Sequence, residues 1–294
     1  MQMDLRRRFF AEEIEAVCKL RSSRLVDALA TVPREAFLRP GPWTVVVEAD
    51  LMAGGMKTQL TPDADPARVN HNIVVAIDPA RQLFNGQPGT LAVWIDALEL
   101  EPDARVLHVG CGLGYYTAVM AHCVGSSGRV IGVEADASLA EEAARNLASM
   151  PWVDVRSGAT ADLAGEEFDA IVVNAGVTHP LEAWLDALAP DGRMILPLTS
   201  TMIPMGNVGK GVTFLIHKQR DGRMTARVLG FVAIFTAVGI RDESLNQSLG
   251  KAMMAGPAQW AAVKRLRRDA HEASPSCWLH GATFCLSTDD GSAG

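Results

Sequence analysis

Gly110, Gly112 and Gly114 alternate inside the run Val106-Leu107-His108-Val109-Gly110-Cys111-Gly112-Leu113-Gly114-Tyr115. A strand-like apolar pattern leads into them and a helical pattern leaves them. Glycine lets the backbone turn sharply and lets a ligand approach where a side chain would clash. Glu134, followed by Ala135, stands at the end of the next strand-like run. A carboxylate there can accept hydrogen bonds from both hydroxyls of a ribose. Together these residues describe a nucleoside-binding loop. The dinucleotide pattern G-x-G-x-x-G requires glycine at position 115, which is Tyr115 here. Asn174-Ala175-Gly176-Val177-Thr178-His179-Pro180 follows a later strand-like run. Ligands of open α/β sheets sit beyond the carboxyl ends of the strands, so Asn174 and His179 are candidate pocket residues. The competing reading is that Asn174 satisfies a turn and His179 caps a helix. His179 or His71 is placed to act as a base if the chemistry needs one.

Other chemistry-bearing groups point less clearly to a site. Cys277-Trp278-Leu279-His280 with Cys285 has the residue types of a zinc site. Strand alternation puts Cys277 and Cys285 on one face and His280 on the other, so the cysteines are read as buried small hydrophobes and no metal is expected. With Cys18, Cys111 and Cys123 they make five scattered cysteines, which fits a reducing compartment better than a disulfide framework. Lys264, Arg265, Arg267 and Arg268 read as the solvated face of a helix. A net charge of −7 argues against broad phosphate-backbone binding, so no nucleic-acid partner is expected. Met1–Arg8 leads into no apolar signal core, and Val228–Ile240 falls short of the ~20 residues a membrane span needs. The expectation is a cytoplasmic protein without membrane attachment; oligomeric state is not legible.

The elements that must position these residues follow from periodicity. Phe9–Ala30 reads as one helix with Ile14, Val17, Cys18, Leu25, Val26 and Leu29 on apolar positions. It ends at Val32-Pro33, because the residue before proline disfavours the helical region. Residues 40–89 are irregular, with short β-like runs at Trp43–Val47 and Ile73–Ile77, and read as a lid or substrate-facing segment. Leu91, Trp94, Ile95 and Leu98 mark an amphipathic helix. Strands are expected at Arg105–Val109, Arg129–Val133, Val153–Val155, Asp169–Val173 and Met194–Leu196. Helices alternate with them: Tyr115–Cys123, a capping-box helix from Ser138 to Leu147, and one around Leu181–Leu188 closed by a Pro190-Asp191-Gly192 turn. This alternation predicts parallel β-α-β units in a doubly wound, mostly parallel α/β sheet. Beyond Thr199 the expectations are β-runs at Val212–His217 and Val228–Phe235, a helix at Ala258–Arg268 and a strand near Ala282–Ser287. The organisation read from this is an N-terminal helix and lid (1–89), a nucleotide-binding core (90–200), a C-terminal α+β extension completing the sheet (201–287) and a flexible tail (288–294).

The Gly-x-Gly-x-Gly spacing resembles the first motif of class I S-adenosylmethionine (SAM) dependent methyltransferases, a Rossmann-like fold whose loop takes the amino-acid end of SAM. The wider chain, from about Leu25 to Leu198, resembles the protein-L-isoaspartate O-methyltransferase family. The likeness rests on Val32-Pro33-Arg34-Glu35-Ala36-Phe37-Leu38, Gly86-Gln87-Pro88, Gly114-Tyr115-Tyr116-Thr117-Ala118, Phe168-Asp169-Ala170-Ile171-Val172-Val173 and Leu188-Ala189-Pro190-Asp191-Gly192-Arg193-Met194-Ile195-Leu196-Pro197. The resemblance implies SAM as donor and S-adenosylhomocysteine as product. It implies that Gly110, Gly112, Gly114 and Glu134 hold SAM; His108, Cys111, Tyr115, Ala135, Asp162 and Asn174 are further candidate cofactor contacts. Candidate residues for the acceptor side are Asn85, Gln87, Asn174 and His179. Three departures stand out. His108 replaces a usual acid, Ser157-Gly158-Ala159 replaces a Gly-Asp-Gly, and Phe84-Asn85-Gly86 replaces a hydroxyl-bearing Thr-Ile-Ser. The expected activity is O-methylation of a carboxylate on a peptide, protein or modified peptide. The alternatives are a small-molecule methyltransferase and a non-catalytic SAM-binding protein.

Overall fold

The computed structural model describes residues 3–47, 57–159, 162–201 and 207–291. In chain order its elements begin with α1 (Met3–Cys18), α2 (Ser23–Thr31), β1 (Thr44–Val46), β2 (Thr58–Leu60), β3 (Ala76–Asp78), β4 (Leu83–Phe84) and α3 (Pro88–Ala97). Next come β5 (Arg105–Val109), α4 (Tyr115–Val124), β6 (Arg129–Glu134), α5 (Ala137–Asn146), β7 (Val153–Ser157), β8 (Phe168–Val173) and α6 (Glu182–Ala187). The last are β9 (Leu188–Ser200), β10 (Val208–Lys218), β11 (Met224–Phe235), α7 (Glu243–Met254), α8 (Pro257–Ala261), β12 (Arg265–Arg267), β13 (Cys277–His280) and β14 (Cys285–Ser287). They fall into two compact units, Met1–Asp103 with Cys111–Ser157, and Ala104–Gly110 with Gly158–Gly294.

In the first unit the expected single helix over Phe9–Ala30 is two helices. Lys19 adopts φ 53 and breaks the helical path. Ser22 then restarts it, its side chain accepting from the Leu25 N–H at 3.2 Å. Phe10, Ala11 and Ile14 of α1 are buried with Leu25, Val26 and Leu29 of α2, whereas Val17 is 70% exposed. The stop before Pro33 holds: Val32 caps α2 in an extended conformation. The next residue of consequence is Arg34, fully buried. Its Nη1 donates to the carbonyls of Val69 (2.7 Å) and His71 (3.0 Å), and its Nη2 to Ile73 (2.7 Å) and Asn85 Oδ1 (3.3 Å). One guanidinium therefore ties an irregular stretch to the residue ahead of α3. Within that stretch β1 falls inside the expected run Trp43–Val47, β3 lies C-terminal of most of Ile73–Ile77, and residues 48–56 lie outside the described residues. β6 and β7 pair in parallel, joined by α5. The cap of α5 is Asp136, not Ser138: Asp136 Oδ1 accepts from the N–H groups of Ser138 (3.0 Å) and Leu139 (3.3 Å).

In the second unit β8 lies between β5 and β9, parallel to both. The sheet continues antiparallel through β10 and β11 to β12, β14 and β13. The expected Pro190-Asp191-Gly192 turn is instead a bulge inside β9. Register jumps from Phe168↔Leu188 to Ala170↔Arg193, and Asp191 takes φ 61 to absorb the extra residues. The expected helix over Ala258–Arg268 ends at Ala261, and the basic run becomes β12 with its flanks. Each cation there has an acid: Lys264–Asp290, Arg265–Asp289, Arg267–Asp269 and Arg268–Asp186. α7 was not expected; Asp242 caps it through the Leu245 N–H at 2.8 Å. The terminal strand is shorter than Ala282–Ser287, and its partner β13 was not expected. Of the tail, residues 292–294 lie outside the described residues. No helix among the described residues is long and apolar enough to cross a membrane.

Candidate active site

The first unit holds most of the glycine loop. Gly112 has φ 55 and Gly114 φ 94, the left-handed region where other residues are strained. Gly114 is also the cap of α4, and a Cβ there would meet Leu147 Cδ1 at 2.8 Å. Glu134 braces the loop from the end of β6. Its Oε2 accepts the Gly112 N–H at 2.8 Å and its Oε1 the Asp136 N–H at 3.1 Å. A carboxylate offers about four acceptor sites, so one on each oxygen remains for a vicinal diol. Cys111 fixes the loop base through its N–H to the Val133 carbonyl at 3.1 Å, and Asn146 Nδ2 reaches the Leu113 carbonyl at 2.9 Å. Ala135 is exposed beside Glu134. Asp136 pairs with Arg81 at 2.6 Å, a hydrogen bond that holds its carboxyl at about 2.

Two expected cofactor contacts turn inward. Cys111 is buried, and burial, with the Glu134 charge adding, pushes its thiol above the usual range; it is no nucleophile at neutral pH. The Tyr115 ring packs edge-on against Phe37 (5.9 Å) and Tyr116 (4.9 Å), which leaves its backbone at the first turn of α4 as what it can offer a ligand.

The acceptor-side candidates of the first unit surround the start of α3. Asn85 Oδ1 accepts from the Val75 N–H (3.1 Å) as well as from Arg34, which fixes the orientation of the amide. Its Nδ2 is buried and has no hydrogen-bond partner among the described residues. Gly86 has φ 79, and its carbonyl accepts from Tyr116 Oη at 3.3 Å. Gln87 caps α3 from an extended conformation, its Oε1 3.5 Å from Thr90 Oγ1.

In the second unit β5 and β8 end together. Asn174 donates its backbone N–H to the Val109 carbonyl at 2.8 Å and its Nδ2 to the Gly110 carbonyl at 3.3 Å. Gly110 has φ 78, and a Cβ on it would sit 3.1 Å from the Asn174 carbonyl oxygen. His108 lies within β5, fully buried, and burial lowers its pKa to about 3, so it is a neutral imidazole at neutral pH. His179 is half-buried and does not cap α6, whose cap is Leu181. Its Nδ1 lies 2.9 Å from Thr178 Oγ1 and its ring stacks on Phe284 at 6.4 Å. Burial lowers its pKa, Asp242 opposing. Asp162 is exposed and accepts the Ala164 N–H at 3.0 Å.

Sequence reasoning missed several residues that hold these groups. Arg34 sat in a quoted motif without a role. Arg241, which bonds Gly176 O (2.8 Å), Thr199 O (2.8 Å) and Asn246 Oδ1 (2.8 Å), carried no motif at all. Asp136 was readable as a helix cap two residues beyond Glu134.

A family profile described as protein-L-isoaspartate(D-aspartate) O-methyltransferase (PCMT) matches residues 65–241. A protein-L-isoaspartate O-methyltransferase of Methanopyrus kandleri is 29% identical over 233 residues, 78% of this chain and 89% of that one. Its counterpart in Methanothrix thermoacetophila is 30% identical over 239 residues, 78% of this chain and 96% of that one. Among solved structures, one of a protein-L-isoaspartate O-methyltransferase superposes with TM-score 0.55 at 22% identity, covering 83% of this chain and 69% of its own. Another, from Plasmodium falciparum in complex with S-adenosyl-L-homocysteine and provisionally described as a β-aspartate methyltransferase, gives 0.58 at 18% identity, covering 79% and 97%. These likenesses establish the class I methyltransferase fold.

Proposed function

Because this chain belongs to the protein-L-isoaspartate(D-aspartate) O-methyltransferase family of SAM-dependent enzymes, we propose that it transfers the SAM methyl group to a carboxylate of a peptide, protein or modified peptide. The observation that carries the donor half is the loop braced on Glu134. Side chains are absent at Gly112 and Gly114, and Glu134 keeps free lone pairs for the ribose. Gly110 opens the same loop, with Asn174 against it. Bound there, SAM supplies a methyl on a positively charged sulfur, already activated for displacement. The carboxylate oxygen forms a bond to that carbon as the carbon–sulfur bond breaks, leaving S-adenosylhomocysteine and a methyl ester. An ionised carboxylate needs no base, so the neutral His179 is not required to move a proton. The protein's work is alignment and exclusion of water.

On the acceptor side the reading rests on Asn85. Its NH2 is aimed by Arg34 and left as a donor in search of an acceptor. A buried carboxylate is costly unless hydrogen-bonded, and this amide with nearby backbone N–H groups supplies donors in place of the hydroxyls the sequence resemblance led us to expect. Loss of those hydroxyls leads us to expect weak activity on ordinary isoaspartyl peptides. We place the reaction in the cytoplasm, supported by five unpaired thiols.

The test uses methyl-labelled SAM with an isoaspartyl hexapeptide, its aspartyl twin and a host lysate split into protein and small-molecule fractions. We expect base-labile label in the protein fraction and little on either peptide. Base-stable label, or label confined to small molecules, overturns the carboxylate reading. Efficient, selective labelling of the isoaspartyl peptide restores repair as the function.

A further inference from the structure

The geometry points to a structural zinc site in the second unit, built from His271, Cys277, His280 and Cys285. One ligand atom from each residue lies within 4.8 Å of all the others. Tetrahedral zinc, with Zn–S about 2.3 Å and Zn–N about 2.0–2.1 Å, places neighbouring ligand atoms about 3.3–3.8 Å apart. His271 Nε2 and Cys277 Sγ already stand at 3.6 Å. Four such groups converge within a short stretch of sequence, where a chance cluster of two thiols and two imidazoles is rare.

Strand alternation alone would send His280 away from the cysteines. The structure overrides that through a bulge: Cys277 pairs with Ser287, Leu279 with Leu286, and register shifts between them. The extra residue reverses the parity of β13, and His280 comes to lie opposite Cys285.

Three details beyond convergence suit a metal. His271 Nδ1 lies 2.8 Å from the Asp269 carbonyl, to which it can only donate. That fixes the tautomer and leaves the Nε2 lone pair toward Cys277, the usual support of a metal-bound imidazole. The Ser274 N–H points at Cys277 Sγ from 3.4 Å, a donor that favours a thiolate. His280 Nδ1 is buried with no hydrogen-bond partner among the described residues, a costly state that a coordinate bond relieves.

Two thiolates and two imidazoles make a neutral complex with a divalent ion, which suits partial burial. Nitrogen and sulfur donors favour zinc over magnesium or calcium. Four protein ligands close the coordination shell, so the ion holds structure and performs no chemistry. What it holds is clear from topology. β13 and β14 are strands of four and three residues, and the cluster staples both to the loop carrying His271.

The full-length protein, prepared without chelators under reducing conditions, is measured for zinc by mass spectrometry of the elements. We expect one zinc per chain, lost in the double variant Cys277→Ser/Cys285→Ser and kept in Cys18→Ser. Chelated wild-type protein loaded with Co2+ should show the visible bands of tetrahedral cobalt with thiolate charge transfer, a readout that needs no variant. Amide exchange over β13 and β14 should quicken on chelation. Zinc well below one per chain after loading, an octahedral cobalt spectrum, or a Cys277–Cys285 disulfide in the freshly reduced and purified protein overturns the assignment. So does full zinc content in a folded double variant.

Discussion

Single residues decide most of the chemistry here. Glu134 accepts from two backbone amides and still has room for two hydroxyls. Charge-assisted hydrogen bonds contribute about 1.5–3 kcal/mol each, so Glu134→Ala should weaken S-adenosylhomocysteine binding by at least about tenfold in calorimetry. Unchanged affinity would remove this residue from the cofactor site. Asn85 is tested by an isosteric change. Asn85→Asp keeps an acceptor for Arg34 and Val75 but replaces the orphan NH2 with a carboxylate oxygen. Like charges then face each other across the proposed acceptor site, and KM for the acceptor should rise at least about tenfold with cofactor affinity unchanged. An unaltered KM would place the acceptor elsewhere. His108 links stability to pH. Burial lowers its pKa from 6.5 to about 3. Between those values the unfolded chain binds a proton that the native imidazole refuses. Stability contributed by the neutral form is therefore complete above pH 6.5 and is lost as pH falls toward 3. Urea midpoints at about pH 7.5 and about pH 5 should differ more for the wild type than for His108→Gln, whatever that variant does to absolute stability. Equal differences would show that other groups set the slope.

Elements explain why a hydroxyl cannot simply be installed ahead of α3. Gly86→Ser would place a hydroxyl where the sequence resemblance led us to expect one, yet position 86 has φ 79 and its Cβ would meet Leu91 Cδ2 at 2.8 Å. The start of α3 is built around a residue without a side chain. We expect this variant to lose about 1–3 kcal/mol in chemical denaturation and to gain no isoaspartyl activity. A stable variant with strong isoaspartyl activity would show the loop to be adaptable. The same dependence on context separates what the sequence reveals from what it hides. β5, β6 and β8 were legible because each is an apolar run with plain boundaries, and the glycine loop and Glu134 because their spacing is local. The break at Lys19 was hidden, since lysine is a good helix former, yet it takes φ 53 just past the end of α1, where the Leu20 N–H reaches back to the Glu15 carbonyl at 3.2 Å. The β9 bulge hid because Pro-Asp-Gly reads as a turn in any setting. α7 buries only Asn246 and Leu249, too little to mark an apolar face. Arg34 and His280 show the deeper limit. The partners of Arg34 are carbonyls distant in sequence, and the direction of His280 depends on a bulge that alternation does not predict.

At the scale of the whole chain the net charge is −7. An acidic enzyme acting on carboxylates repels its own acceptor unless neighbouring residues offset the charge. Two acceptor peptides that differ only in flanking lysine or glutamate should be methylated at rates severalfold apart at about 10 mM salt. The gap should shrink at about 150 mM, where the screening length falls to about 8 Å. A gap independent of salt would assign the preference to direct contacts. The position of β14 has a different consequence, in the order of synthesis. It follows β12 and β13 in the sequence, yet it lies between them in the sheet. Until it is made, β12 has no outer neighbour and β13 has nothing to pair with. At about 5–20 residues per second the growing chain exposes an unpaired strand edge for a few seconds at most. During that interval the nascent sheet is open to pairing with another unfinished chain, and a ribosome that slows just before Cys285 prolongs the exposure.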